Sequence, residues 1–217
     1  MTFCNDTDLL HWEPNIFRDA VFASQTLLAG SGTLSSAAFT IGAGSLAAAH
    51  IAAGQVLVLS GAVAGSYPIV SIDSTTQMTI SALYDGLLPY VSSSQVAPVG
   101  AGSLTYTVRT FSPQSGIVSA MLLQAAGILP GTASAGGEVL NPESLRRPCV
   151  LGTLQMIYSA LSAAAEAGDV ARLSVRADLY ERLYRRAMRS CHVEIDTDGD
   201  GEANLRRPLN VMMLVRA

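Results

Sequence analysis

The stretch Gln55-Val-Leu-Val-Leu-Ser60 decides the fold, because it opens a series of short runs rich in β-branched residues. The later runs are Tyr67-Pro-Ile-Val-Ser-Ile72, Gln77-Met-Thr-Ile-Ser81 and Leu104-Thr-Tyr-Thr-Val-Arg109, and Phe39-Thr-Ile41 is a candidate fifth. Turn-forming residues at 60–66 and 73–76 separate the first three runs. Four or five strands spaced about 11 residues apart predict a small antiparallel barrel or sandwich of the SH3-like kind over residues 32–112.

Helical periodicity lies on both sides of this β region. Apolar residues recur every three or four positions from about Leu9 to Ala29, and Gly30 and Gly32 follow as a helix stop would. Residues 1–31 are therefore predicted as an N-terminal helix. After the β region, runs at 113–127, 141–168 and 171–191 predict a helical domain at 113–192, in which Asn141 caps the second helix. Pro148 either separates the first turn of that helix or kinks it.

The C-terminal segment, residues 193–217, is predicted to form strands around an Asp/Gly loop. Val193–Asp196 precedes the loop, and the apolar run Leu209–Val215 follows it. The Gly- and Ala-rich stretch Gly131–Gly137 is predicted as an exposed linker or loop. The complete prediction is an α+β protein with a bundle of three to four helices, an inserted small antiparallel β-barrel or sandwich, and a C-terminal β-hairpin or strand.

Composition excludes several classes of function. The 217-residue chain contains no lysine, so it lacks a P-loop lysine and a Schiff-base lysine. A net charge of −4 disfavours duplex DNA binding, which needs clustered cations. There is no Gly-x-Ser-x-Gly or His-Glu-x-x-His motif, and the three histidines are scattered, so we expect no enzymatic activity. The N-terminus does not have the pattern of a secretion signal. The uncharged stretch between Asp19 and Asp73 is interrupted by Gly, Ser, Thr and Pro too often for a membrane span.

The distribution of charge indicates a covered surface. Between Ala20 and Gly137 the charged residues are Asp73, Asp85 and Arg109 alone. The solvent faces of the predicted strands therefore carry Ser, Thr and Gln, whereas a monomeric domain normally keeps itself soluble with charge. We expect this surface to be buried against a partner.

The motif with the clearest chemistry is the acidic loop. Asp196, Asp198 and Asp200, followed by Gly201, reproduce the start of a calcium-binding loop, in which alternate carboxylates converge on one ion. The twelfth position, which normally supplies a bidentate carboxylate, is Arg207, and any affinity would be on the order of millimolar. The alternative is a solvated Asp/Gly turn that joins two strands. No other cofactor is expected, and the three cysteines, which are widely spaced, are expected to be reduced thiols.

Several large side chains are candidates for intersubunit contact. The helix at 171–191 has two apolar stripes, one of which contains Tyr180 and Tyr184, so it is expected to meet more than one neighbour. Trp12 is a candidate anchor in the core or at an interface. Met212 and Leu214 belong to an apolar tail that must be buried in this chain or in a partner.

The order of these segments resembles the head–tail connector (adaptor) proteins of tailed bacteriophages and related prophages. The similarity covers mainly residues 141–217, where Asn-Pro-x-x-Leu-Arg-Arg opens a helix. Its most telling parts are Leu154–Leu161, Ala177–Ala187 and the loop Asp196–Gly201. The smallest adaptors are nearly all helical, so the β insertion is a departure from their pattern.

The resemblance implies a structural virion protein, made in the host cytoplasm and assembled at the neck of the particle. It would form a dodecameric ring beneath the portal protein, contact tail or neck proteins, and surround passing DNA without sequence-specific binding. The alternatives are another neck, tail-completion or baseplate protein of the same virion, and a calcium-dependent binding module. No membrane partner is expected.

Overall fold

A computed structural model describes residues 2–82, 96–100, 102–128 and 137–209. The protein is an α+β protein that divides into two compact units. Asn5–Phe111 form one unit, called here the barrel unit. The described residues of Met1–Cys4 and Ser112–Ala217 form the other, called the helical unit. The barrel unit is therefore an insertion in the sequence of the helical unit.

Six antiparallel strands close into a barrel, in the order β1-β2-β5-β4-β3-β6. The strands are β1 (Thr26–Ser35), β2 (Ala38–Ile41), β3 (Val56–Ser60), β4 (Gly65–Ile72), β5 (Gln77–Ile80) and β6 (Gly102–Arg109). Strand β6 pairs with both β1 and β3, which completes the closure. The four runs singled out in the sequence, and the candidate at 39–41, are all strands of this barrel.

The barrel interior is filled by side chains from every strand. Phe39 is fully buried and lies edge to face with Tyr106, with ring centroids 5.2 Å apart. Strand β3 is buried on both faces, which explains why its sequence is continuously apolar instead of alternating. Its outer face is covered by two short helices, α1 (Asp6–Trp12) and α2 (Ile16–Asp19), which pack against β3 and β4.

The predicted N-terminal helix over 9–29 is wrong. The chain forms α1 and α2, then a short 3-10 turn at Ala23–Gln25, and enters β1 at Thr26. Gly30 and Gly32 lie inside this strand, at positions where aromatic rings pack directly on the backbone and leave little room for a side chain. A Cβ at Gly32 would lie 2.5 Å from Phe39 Cζ, and one at Gly30 would lie 3.4 Å from Tyr106 Cε1.

The described helical unit contains α3 (Ser112–Ala125), α4 (Glu143–Ala164) and α5 (Ala167–Ser190). Helix α4 packs against both α3 and α5. Pro148 lies inside α4 and does not divide it. Because proline has no N–H, the carbonyl of Ser144, four residues earlier, has no helical partner. It accepts a hydrogen bond from the Cys191 thiol at 3.3 Å instead. The expected side-chain cap by Asn141 is absent, since this amide bonds the backbone of β8 instead.

A three-stranded antiparallel sheet completes the helical unit, in the order β7-β8-β9. The strands are β7 (Glu138–Val139), β8 (His192–Asp196) and β9 (Leu205–Pro208). A hairpin around the Asp/Gly loop was predicted, but its second strand begins at Leu205, before the apolar run. The expected strand Leu209–Val215, apart from Leu209, and the expected linker at 131–137, apart from Gly137, lie outside the described residues.

Candidate functional site

The Asp/Gly loop at 196–204 connects β8 to β9 and is organised around one carboxylate. Asp196 is only 3% exposed. Its Oδ1 accepts hydrogen bonds from the amides of Asp198 (3.1 Å) and Gly199 (2.7 Å), and its Oδ2 accepts one from Gly201 (2.8 Å). These bonds, that from Gly199 foremost, lower the pKa of Asp196 because they stabilise the ionised form.

Two glycines permit this winding of the backbone. Gly199 and Gly201 both have φ of +83°, a left-handed conformation that other residues adopt at a cost. Asn204 then closes the loop: its Oδ1 accepts the Thr197 amide at 2.8 Å, and its Nδ2 donates to Asp198 Oδ2 at 3.0 Å. The loop is thus held by its own side chains and amides.

The predicted convergence of carboxylates is present. One oxygen each from Asp196, Asp198 and Asp200 can be chosen so that all lie within 4.8 Å of one another. Arg207, at the twelfth position, lies in β9 and donates to the Ala126 carbonyl at 3.0 Å. It therefore contributes no ligand, and both oxygens of Asp196 already accept amide hydrogens. Calcium takes six to eight oxygens, so these carboxylates would supply only part of a calcium coordination shell.

Helix α3 presents a second kind of surface. Its outward side carries Ile117 and Met121, which are 53% and 48% exposed, while Leu122 is fully buried. The helix contains no charged residue over its whole length. Its polar residues are serines and glutamines, and two of the serines, Ser115 and Ser119, are buried. The side with Ile117 and Met121 is therefore an uncharged and partly apolar exposed surface.

Helix α5 does not use the residues predicted for an interface. Tyr180 is 5% exposed and stacks on Tyr158 of α4, with centroids 5.5 Å apart and planes 6° apart. Tyr184 is partly buried and lies close to Gly152. Both tyrosines therefore serve the packing of α4 against α5, because their stripe faces the chain's own helix.

The large exposed apolar residues of α5 are instead Val170, Val175 and Leu179. Val175 and Leu179 are 64% and 44% exposed and lie one turn apart. The sequence contained their signal, since they belong to the other apolar stripe of α5. Periodicity alone could not show which stripe faces α4. Trp12, the remaining described candidate, ends α1 and is 42% exposed. Met212 and Leu214 lie outside the described residues.

Comparisons with protein-family models, with curated proteins and with solved structures found no significant match to this chain. Among the described residues, no helix is both long enough and apolar enough to cross a bilayer.

Proposed function

We propose that the chain is a structural virion protein, a head-to-tail connector that forms a ring under the portal protein and joins capsid to tail around the DNA channel. In this role it performs no chemistry. Its partners are identical subunits, in a dodecamer, together with the portal protein and tail or neck proteins at the neck of the virion. DNA passes through without sequence-specific contacts. The proposal includes the helical bundle expected from the sequence, built on α3, α4 and α5.

The observation that carries the proposal is the uncharged, partly apolar surface. On α3, Ile117 and Met121 are about half exposed with no charge on the same helix. In the barrel, the outward residues Val70 and Ile72 of β4 are 38% and 36% exposed. Permanent interfaces bury about 2,000–5,000 Å² and are more apolar than ordinary surfaces. Such surfaces favour a subunit of an assembly over a solitary protein.

A ring adds a geometric requirement that this chain can meet. Head-to-tail contacts need two different complementary faces on each subunit. The helical unit has two separate exposed apolar pairs, Ile117 with Met121 on α3 and Val175 with Leu179 on α5. Both pairs have i, i+4 spacing, which places their side chains side by side on the helix.

The test is the oligomeric state of the purified protein, measured by mass photometry and by negative-stain imaging, alone and with a portal protein. We expect closed rings. Ile117→Glu should shift the population towards monomers with little change in helical content, since residue 117 is exposed. Ser159→Glu is the matched control, because it adds the same charge to an exposed position of α4. A wild-type protein that stays monomeric at high concentration, even with the portal protein, would contradict the proposal.

The other virion roles share the same surface chemistry and differ in position. Cryo-electron microscopy of the intact particle distinguishes them, because a connector lies directly beneath the portal. A tail-completion or baseplate protein would be found elsewhere in the particle.

A calcium-dependent binding module is the second candidate, and the convergence of Asp196, Asp198 and Asp200 favours it. Calorimetric titration of the wild-type protein with Ca²⁺ tests this role. Asp198→Asn is the informative variant, because it removes one carboxylate without touching the amide bonds to Asp196. A module of this type requires saturable binding that the variant weakens, whereas a flat titration eliminates it.

A further inference from the structure

The exposed side of α5 carries a row of arginines that the apolar surfaces described above do not explain. Arg182, Arg186 and Arg189, called here the basic stripe, are all exposed, and they continue the line that Val175 and Leu179 begin. Successive members of this line are four or three residues apart, so their side chains lie on one face of the helix. This face is therefore apolar near the middle of α5 and basic towards its C-terminal end.

The charges of the basic stripe are not neutralised within the described part of the chain. Arg182 donates to the backbone carbonyl of Asp178, and no ion pair joins any of the three guanidinium groups to a described carboxylate. The carboxylate of Asp178 is exposed on the same side and offsets at most one of the charges. A basic residue in the last turn stabilises the helix dipole, but that turn holds Arg189 and leaves Arg182 and Arg186 unexplained.

The Asp/Gly loop between β8 and β9 carries the opposite charge. Asp198, Asp200 and Glu202 alternate along its exposed part. The side-chain amide of Asn204 donates to Asp198, and the backbone amide of Glu202 donates to Asp200, so neutral groups bond these carboxylates and leave their charge in place. Within the described residues, no ion pair connects this loop with the basic stripe of the same chain. One subunit thus carries two surfaces of opposite charge that it does not join itself.

We infer that the Asp/Gly loop of one subunit binds the basic stripe on α5 of a second copy of this chain. The inference rests on the proposed ring, whose head-to-tail contacts need two different complementary faces on each subunit, and it identifies the charged part of one such contact. Opposite charges across an interface fix its register and exclude wrong pairings. Val175 and Leu179 adjoin the stripe, and such apolar groups are typical of an interface with protein rather than with DNA.

The absence of lysine from the chain allows a direct test of this contact. Arg186→Lys keeps the positive charge and introduces a single lysine amine, which a water-soluble carbodiimide couples to a carboxylate in contact with it. Isotopically labelled and unlabelled Arg186→Lys subunits are mixed, assembled, cross-linked and mapped by mass spectrometry. We expect links from residue 186 to Asp198, Asp200 or Glu202, including peptide pairs of mixed label, which identify two different chains. Arg172→Lys, at the other end of α5, is the matched control and should give no link to the loop.

Exchanging the two charges tests their contribution to assembly. Arg186→Glu should raise the protein concentration at which half of the subunits are assembled by at least about tenfold, as expected when a close charge pair is lost from an interface. Glu202→Arg should have a similar effect, and its carboxylate takes no part in the hydrogen bonds of the described loop. The variant with both substitutions restores opposite charges and should recover most of the loss. Arg172→Glu is the control for the change of net charge, and far-ultraviolet circular dichroism checks that each variant is folded.

The outcomes separate this inference from the proposed ring. Rings of Arg186→Lys without a link from residue 186 to the loop of another chain would overturn the inference and leave the ring intact. Such links in open filaments would support the inference and contradict the ring. Normal assembly of Arg186→Glu with weaker binding to a labelled DNA duplex would mean that the stripe faces DNA, which also overturns the inference. A chain that remains monomeric under all conditions forms neither rings nor links and contradicts both proposals.

Discussion

The barrel and helix α5 hold their charges in opposite ways. In the described part of the barrel from Thr26 to Arg109, the charged residues are Asp73 and Arg109. Uncharged groups bond both of them. The Asp73 carboxylate accepts hydrogen bonds from the hydroxyls of Thr79 and Ser71, which lower its pKa, the bond from Thr79 foremost. Arg109 donates to a backbone carbonyl of α2.

Along α5, two arginines pair with carboxylates of the same helix, while Arg176 donates to the Tyr158 hydroxyl and Arg182 to the Asp178 carbonyl. Arg172 lies 3.3 Å from Asp169, and Arg185 pairs with Glu181. All four side chains are at least 40% exposed. The barrel charges are thus stabilised by hydrogen bonds with neutral groups, whereas the acidic partners on α5 are stabilised by exposed ion pairs. The stability of the barrel unit should therefore depend on pH and on core packing, whereas the coupling energy of the pairs on α5 should depend on salt concentration.

Phe39→Ala should have the largest effect. Phe39 is fully buried, fills the barrel beside Tyr106 and covers Gly32. Its truncation leaves a cavity, so we expect a loss of about 3–5 kcal/mol in the free energy of unfolding. Urea unfolding followed by the fluorescence of Trp12, which belongs to the same unit, measures this loss. Val70→Ala, at an exposed position, should cost less than about 0.5 kcal/mol, and equal losses in the two variants would contradict the assigned core.

Gly32 also shows where prediction from sequence stopped. The strands at 56–60 and 77–80 could be predicted because β-branched residues and turns are local signals. Strand β1 could not, since the role of Gly30 and Gly32 depends on rings from β2 and β6 that pack on them. Locally, the same glycines look like the end of a helix. The contacts with these rings, which come from residues distant in sequence, favour a strand at a place where the local apolar spacing indicates the end of a helix.

Asp6→Asn should change how stability depends on pH. Asp6 is 3% exposed, and burial raises its pKa to about 6, although its Oδ1 accepts the Phe111 amide. Between an ordinary value near 3.8 and about 6, the folded state binds more protons than the unfolded chain. Its contribution to stability is therefore complete below the lower value and is lost as pH rises through the upper one, a change of about 3 kcal/mol.

Asparagine keeps an oxygen that can accept the Phe111 amide but cannot ionise, so the variant isolates this effect. We expect Asp6→Asn to gain stability relative to wild type between about pH 4 and pH 7, measured by urea unfolding at each pH. Asp73→Asn is the control, because the pKa of Asp73 is lowered and its dependence has the opposite sign. A constant difference between Asp6→Asn and wild type across this range would contradict the prediction.

Tyr180→Leu should have an intermediate effect. Leucine keeps apolar volume between α4 and α5 but removes the stacking on Tyr158. We expect a loss of about 1 kcal/mol, typical of an aromatic pair beyond its buried area, measured by thermal unfolding followed by far-ultraviolet circular dichroism. Val175→Ala, at the exposed stripe of the same helix, is the control. A larger loss at residue 175 in the monomer would mean that the two stripes had been assigned the wrong way round.

The candidate sites also differ in how far the sequence predicts them, because local signals can be read from sequence and tertiary contacts cannot. The convergence of Asp196, Asp198 and Asp200 followed from local spacing, because a short loop between paired strands brings alternate side chains together. The exposed pair Ile117 and Met121 did not, because the Ser and Gln residues of α3 are spread around the helix and two of them, Ser115 and Ser119, are buried. Tertiary contacts of α3, with α4 and with the Phe3 amide that bonds Ser119, separate its buried residues from its exposed ones.

Glu181→Gln should have the smallest effect and should test the comparison most directly. Glu181 and Arg185 are one turn apart on α5, in the favourable order with the acid first. Because both side chains are exposed, a double-mutant cycle with Arg185→Gln should give a coupling of about 0.3–0.5 kcal/mol at low salt. At 1 M salt the screening length falls to about 3 Å, so the coupling should nearly disappear. The effect of Asp73→Asn should change less with salt, since Asp73 is held by neutral hydroxyls instead of an opposite charge. A coupling on α5 that persists in high salt, or an equally strong salt dependence at Asp73, would remove the distinction between the two regions.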